Sequence, residues 1–388
     1  MTIIDDIIPV YLDGFSTLPL APEARDKMFK VWGEPGNAGS PHSSGEAAAR
    51  MINDARNIVA DLIGASQSEV FFTSGATEAN NLAILGVARD ALRSGNKRRR
   101  IIVSSVEHKS VLEPAKALVE LGFSVFVAPV DKAGRLDIDQ FAALVDDDTL
   151  LVSIMTVNNE TGVIQPISEV SAIAREVGAF VHSDCAQGVG KIAIDVLSLD
   201  IDYMSISAHK CYGPMGVGAL YISAGAPKPA PLTYGGGQQS GVRPGTEPVP
   251  LIVGFGEAAK LVSCRSGDSV LDARAAHLFD GLAARQVRLR RITGDHPVVP
   301  GSLAIAIDGV DADALCTLLA RSVQMSTGSA CTSGQIQTSH VLESMGFSRE
   351  GAREVIRLFV NRYTTDPEID AAIEVISSGV QRLKSCIW

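Results

Sequence analysis

Short β-prone runs alternate along this chain with stretches of helical periodicity, and most of the runs stop on small or polar residues. The candidate strands are Val10–Leu12, Glu69–Phe72, Ile101–Ser105, Val125–Ala128, Leu150–Met155, Ala179–His182 and Tyr203–Ile206. Between them fall helical stretches such as Ala47–Leu62, with Met51, Ile52, Ile58, Val59 and Leu62 on one face, and another from about Glu78 to Leu92. Strands joined through helices run parallel, so the pattern predicts an α/β fold with a mostly parallel sheet.

The texture changes near residues 263–272. A long helix over Asp268–Gln286 precedes strands at Ser302–Ile307 and Gln324–Ser326, then helices at Ser339–Met345 and Asp366–Ser385. A chain of 388 residues is long for one core. The expected division is a large domain over 16–261 and a smaller α+β domain built from 1–15 and 262–388. The net charge of −10 argues against duplex nucleic acid or an anionic membrane as a direct partner. The one basic run, Lys97-Arg98-Arg99-Arg100, reads as a solvated loop or a docking patch. No signal peptide and no membrane-spanning run is present, and six cysteines without a CxxC pair suggest neither disulfides nor zinc; a reducing cytoplasm fits.

Chemistry concentrates where strands end. Ser207-Ala208-His209-Lys210 follows Tyr203–Ile206 and leads into a glycine-rich segment. A lysine held there and partly desolvated suits Schiff-base chemistry, although a solvated strand-end lysine has the same local pattern. Thr73-Ser74-Gly75-Ala76-Thr77 opens a helix; its amide groups and hydroxyls suit a phosphate, or simply cap the helix. Asp184 ends a strand, with Gln187 three residues on. A carboxylate there can face a pyridinium nitrogen or cap the next element. His108 can stack on a flat ring, and the amide of Asn158-Asn159 can reach a ring oxygen or build a turn.

In this order the set resembles a fold-type I pyridoxal-phosphate enzyme of the class-V aminotransferase group. Gly75-Ala76-Thr77-Glu78-Ala79-Asn80-Asn81, Glu107-His108-Lys109-Ser110-Val111, Asn158-Asn159-Glu160-Thr161-Gly162-Val163, Ser207-Ala208-His209-Lys210 and Gly235-Gly236-Gly237-Gln238…Arg243…Gly245-Thr246 resemble the motifs of NifS/IscS-type cysteine desulfurases. The resemblance implies a large domain with a seven-stranded, mostly parallel sheet flanked by helices. It implies pyridoxal 5'-phosphate bound to Lys210, paired at its ring nitrogen by Asp184 and addressed on its hydroxyl side by Gln187 and Asn159. His108 stacks on the ring and aids proton transfer; Ala76, Thr77, Ser207 and His209 hold the phosphate. Thr246 reaches the phosphate of a partner subunit in a homodimer. Arg357, assisted by Asn37, binds the substrate carboxylate. Cys331, in Ser326-Thr327-Gly328-Ser329-Ala330-Cys331-Thr332-Ser333-Gly334, takes the sulfur of L-cysteine as a persulfide and passes it to a protein acceptor, for iron–sulfur assembly or a thiolation pathway. No metal site is implied; Cys331 at most ligates a transferred iron–sulfur cluster. Cys185 and Cys211 read as packing.

Three segments depart from the family pattern: Asp13-Gly14-Phe15-Ser16-Thr17-Leu18-Pro19, Gly36-Asn37-Ala38-Gly39-Ser40 and Arg357-Leu358-Phe359-Val360-Asn361-Arg362. Phe15 and Phe359 add bulk near the expected pocket. The chain stops at Lys384-Ser385-Cys386-Ile387-Trp388, without the longer tail of housekeeping forms. Two alternatives share these motifs: a related lyase or aminotransferase acting on another amino acid, with Cys331 idle, and a non-catalytic sulfur-relay subunit.

Overall fold

The structure is a computed structural model that describes residues 9–263, 268–328 and 338–385. Its largest layer is a seven-stranded sheet. The strands are β2 (Val70–Thr73), β3 (Arg100–Ser104), β4 (Ser124–Ala128), β5 (Thr149–Ser153), β6 (Phe180–Asp184), β7 (Tyr203–Ser207) and β8 (Gly218–Ile222), in the order β2-β8-β7-β6-β5-β3-β4. All neighbouring pairs from β7 to β4 are parallel, while β8 is antiparallel to both β2 and β7. β2 therefore points the same way as β7, and six of the seven strands end on one edge.

Side chains alternate across the sheet and both faces are buried. Ile102, Val152, Met204 and Tyr221 enter the core on one side. Their neighbours Ile101, Val103, Leu151, Tyr203, Leu220 and Ile222 enter a separate core on the other. Helices Pro22–Trp32, Ser43–Leu62 and Val249–Ser263 pack together on the first core. Among the described residues no helix is long and apolar enough to cross a membrane.

A second unit forms around a three-stranded antiparallel sheet, β12 (Val355–Phe359), β10 (Ser302–Ile307) and β9 (Leu289–Arg291). It is covered by helices Asp268–Ala284 and Asp366–Ser385, which bury Leu278, Leu282, Ile369, Ile373 and Ile376. The N-terminal strand β1 (Val10–Tyr11) pairs in parallel with β11 (Val323–Gln324), and Leu12 joins this second core.

Several features differ from the sequence expectation, which also lacked β9 and β12 of the smaller sheet. β8 was absent from that expectation, hidden in the glycine-rich stretch after Lys210. The helix expected from Glu78 to Leu92 is a helical run from Ala76 to Ser94 that widens to a π-helix over Leu82–Gly86. The basic run is neither a free loop nor an open patch. Arg98 donates to the carbonyls of Val177 (2.6 Å) and Gly178 (2.5 Å), just past the helix Ile167–Glu176. Arg99 donates to Asn96 O, and Arg100 to Leu144 O with an ion pair to Asp146 at 2.8 Å. These guanidiniums staple loops at the entry edge of the sheet.

Candidate active site

The common edge on which β2, β3, β5, β6 and β7 end opens into a cavity of about 470 Å³. Each strand delivers one part of its lining. β2 runs into Ser74, Gly75, Ala76 and Thr77; β3 leads to His108; β5 leads to Met155 and Asn159; β6 ends at Asp184, followed by Gln187; β7 ends at Ser207, followed by His209 and Lys210. Arg357 enters from β12 of the other unit, 3% exposed. Ten of the expected residues thus meet around one space: Ala76, Thr77, His108, Asn159, Asp184, Gln187, Ser207, His209, Lys210 and Arg357.

Three do not. Asn37 lies on an exposed turn outside the cavity, where its Oδ1 accepts from Gly39 N (3.0 Å). Thr246 is exposed and does not line the cavity of its own chain. Cys331 lies outside the described residues.

The turn after β2 brings backbone close. Gly75 has φ +151°, and β8 passes directly beneath: a Cβ on Gly218 would lie 2.7 Å from Gly75 Cα and 2.3 Å from Ile206 O. The first i→i−4 bond of the helix runs from Ala79 N to Gly75 O. The N–H groups of Ala76 and Thr77 therefore have no carbonyl one turn back. With the hydroxyls of Thr77 and Ser207 and the imidazole of His209, they make an anion-accepting end.

The other end is organised by a chain of buried polar groups. Asp184 accepts from Ala186 N (2.9 Å) and from Asn80 Nδ2 (2.7 Å). Asn80 Nδ2 also reaches Ser110 Oγ (2.8 Å), which meets His108 Nδ1 at 2.7 Å. Ser110 N donates to the same ring nitrogen (3.1 Å), so in neutral His108 the proton sits on Nε2. Burial holds the pKa of His108 below the usual range, against the pull of Asp184 and aided by the charge of Lys210. Beneath this chain Glu107 is fully buried. Its Oε1 accepts from Ser104 Oγ (2.6 Å) and Met155 N (2.8 Å), and burial pushes its carboxyl up to about 8. The two neighbouring asparagines divide their work. Asn158 is buried and builds the turn, accepting from Glu160 N and Thr161 N, while Asn159 lines the cavity.

Lys210 Nζ donates to the carbonyls of Phe15 (2.5 Å) and Ser16 (2.7 Å). Arg357 donates from one terminal nitrogen to Asp13 Oδ1 (3.0 Å), Ser16 Oγ (2.8 Å) and Ser326 Oγ (2.6 Å), and from the other to Asn159 O (2.8 Å). Its Nε is buried without a recorded partner. The bulk added by Phe15 and Phe359 is absorbed by packing: their rings meet edge-on at 4.9 Å, and Phe15 alone of the two lines the cavity. Cys185 and Cys211 are buried, with thiols pushed up to about 12 by that burial.

The donor set suits a planar, phosphorylated pyridine aldehyde. It offers an anion end, a carboxylate at the opposite side, a flat imidazole and an amine. Sequence reasoning assigned no role to Asn80, Ser110, Glu107 or Lys191. The first three stand inside quoted motifs, and only their buried contacts separate them from helix-surface residues.

The description of the family Aminotransferase class-V matches residues 10–372. The chain is 41% identical to the cysteine desulfurase IscS of Rickettsia bellii (strain OSU 85-389), over 98% of this chain and 94% of that protein. A solved NifS-like protein superposes with a TM-score of 0.89 at 35% identity, covering 96% of this chain and all of the other. A structure described as SspA in complex with cysteine superposes with a TM-score of 0.80 at 34% identity, over 92% of this chain and 100% of that one.

Proposed function

The chain belongs to the class-V aminotransferase family, and on that premise we propose that it is a cysteine desulfurase, converting L-cysteine to L-alanine and delivering the sulfur to a protein acceptor. The observation that carries this is the meeting of Lys210, Asp184, His108, Ser207 and Arg357 around one cavity at the strand ends. Likeness to desulfurases over nearly the whole chain supports it.

Bound in the cavity, pyridoxal phosphate supplies an electron sink for the carbanion formed at the substrate Cα. Lys210 holds the cofactor and moves the Cα proton at Nζ. Asp184 keeps the ring nitrogen protonated, and Asn80 holds its carboxylate in line. Gln187 and Asn159 address the ring hydroxyl. His108 covers the ring face, its Nδ1 fixed by Ser110 and its Nε2 free to relay a proton. Ala76, Thr77, Ser207 and His209 hold the phosphate. Arg357 takes the substrate carboxylate from its place in the cavity lining.

Cys331, as thiolate, attacks the substrate sulfur. A sulfur–sulfur bond forms as the Cβ–sulfur bond breaks. The bonding pair stays on carbon and a proton replaces the sulfur, so alanine leaves and the enzyme thiolate becomes a persulfide. Thr246, exposed and away from its own cavity, serves the cavity of a second copy in a homodimer. A reducing cytoplasm keeps the thiol available.

The test is incubation with L-cysteine. Alanine should appear together with one added sulfur on the peptide holding Cys331, and Lys210→Ala should cut alanine formation roughly a thousandfold or more. A Cys331→Ser protein with undiminished turnover would sink the reading.

A further inference from the structure

Lys191 is the most unusual charged group near the cavity that the chemistry above leaves unused. It lies one helical turn's length beyond Gln187 in sequence, is 6% exposed, and none of its recorded hydrogen bonds goes to an acid. Its ammonium donates to Gln187 Oε1 (3.1 Å) and to the backbone carbonyl of Lys210 (2.8 Å), and sits 5.7 Å from the centre of the Phe359 ring. A buried lysine held by neutral acceptors is costly, and here burial, and after it the charge of Lys210, bring its pKa down to about 7.

The contacts close into a circuit. Gln187 Nε2 donates to Phe15 O at 2.8 Å. Lys210 Nζ donates to the same oxygen. Lys191 then links Gln187 back to the main chain of Lys210. An amide side chain has two ends of nearly equal shape, so its partners decide which way it points. An ammonium offers donors only. Lys191 holds Oε1 while Phe15 O takes one N–H of Nε2, so the amide is set from both ends and the second N–H is the one left for the cavity.

We propose that Lys191 is a positioning residue: it orients the amide of Gln187 so that its N–H₂ faces the ring hydroxyl side, and it pins the main chain of the cofactor lysine. The assignment rests on the pyridoxal-phosphate reading of the cavity. The ring oxygen there carries negative charge and takes a donor; a flipped amide would offer it a second acceptor. The other titratable groups that face Lys191 are Lys210 and Cys211, while His209 is held low by burial and by both lysines.

The experiment uses Lys191→Met and Lys191→Arg, loaded with pyridoxal phosphate. Lys191→Met should weaken cofactor binding about tenfold by equilibrium dialysis. It should also raise by about one pH unit the midpoint at which the visible band near ~420 nm interconverts, because a positive charge and a donor are lost together. Lys191→Arg, again a donor-only cation, should recover wild-type cofactor affinity within about threefold, with the midpoint at or below that of the wild type. A folded Lys191→Met protein with wild-type affinity and midpoint overturns the assignment. Where the Met variant does not fold, the Arg variant decides alone, and a midpoint above wild type or a tenfold loss of affinity overturns it. A wild-type protein with no visible band overturns the cofactor reading beneath it; a normal wild-type band with an unaltered Met variant overturns only the role of Lys191.

Discussion

Arg357 is tied on several sides at once. It is 3% exposed and ion-paired to Asp13, yet it lines the cavity. A buried guanidinium needs such partners, because desolvation without them is prohibitive. Its planar fork lets it hold Asp13, Ser16, Ser326 and Asn159 O while keeping Nε unengaged. A lysine cannot span that set. Arg357→Lys should therefore raise KM for L-cysteine at least about tenfold, with a smaller loss in kcat; equal losses in both would refute a role in ground-state carboxylate binding. At this scale the sequence named the side chains that bear charge or a nucleophile. It could not name Asn80, Ser110 or Lys191, whose roles consist of what they touch.

At the scale of elements, function depends on strands that finish at the same level. β5, β6 and β7 are in register so that Ser153 faces His182 and Asp184 faces Ser205. His182 bridges Ser153 (2.7 Å) and Ser205 (3.0 Å) inside the sheet, stays neutral, and has its pKa pushed down to about 3 by burial. The antiparallel strand β8 presses against both the turn after β2 and the end of β7. Its first residue has no room for a side chain, since a Cβ on Gly218 would meet Ile206 O at 2.3 Å and Gly75 Cα at 2.7 Å. Gly218→Ala should cost about 1–3 kcal/mol in denaturant unfolding. On the proposed reading it should also lower cofactor affinity, because the turn after β2 is what moves. A variant as stable and as tight-binding as wild type would contradict this packing argument. β8 is not legible in the sequence because glycine at its start has the local pattern of a loop, and no local signal tells a glycine required by contact from one required by a turn.

Over the whole molecule, the cavity has two owners: the seven-stranded sheet supplies the amine, the carboxylate and the turn after β2, and the smaller sheet supplies Arg357. Stability also registers globally the charges buried beneath the site. Glu107 ionises near about 4.3 when unfolded but is pushed up to about 8 in the fold. Its contribution is whole below the unfolded value and is lost as pH rises to about 8. Lys191 has the opposite sign: lowered to about 7, it contributes fully above its unfolded pKa and loses that contribution as pH falls to about 7. Glu107→Gln cannot ionise, so the denaturation midpoint of wild type should fall relative to this variant between about pH 4 and 8 and hold level above. Parallel curves for the two proteins would show that Glu107 titrates normally.

The amino-acid sequence determined the α/β class, the order of the strand-end residues and the family. These are carried by local composition: period-two and helical patterning, glycines at turns, and reactive side chains just past strands. The tertiary structure alone decided that ten of those residues share one cavity, that Asn37 and Thr246 stand outside it, and that the arginine run is a staple. It also turned Lys191 from an unremarked lysine into the partner of Gln187 and Lys210. The reason is physical: a side chain's burial and hydrogen-bond partners come from strands and loops distant in sequence, and they set both its orientation and its proton affinity.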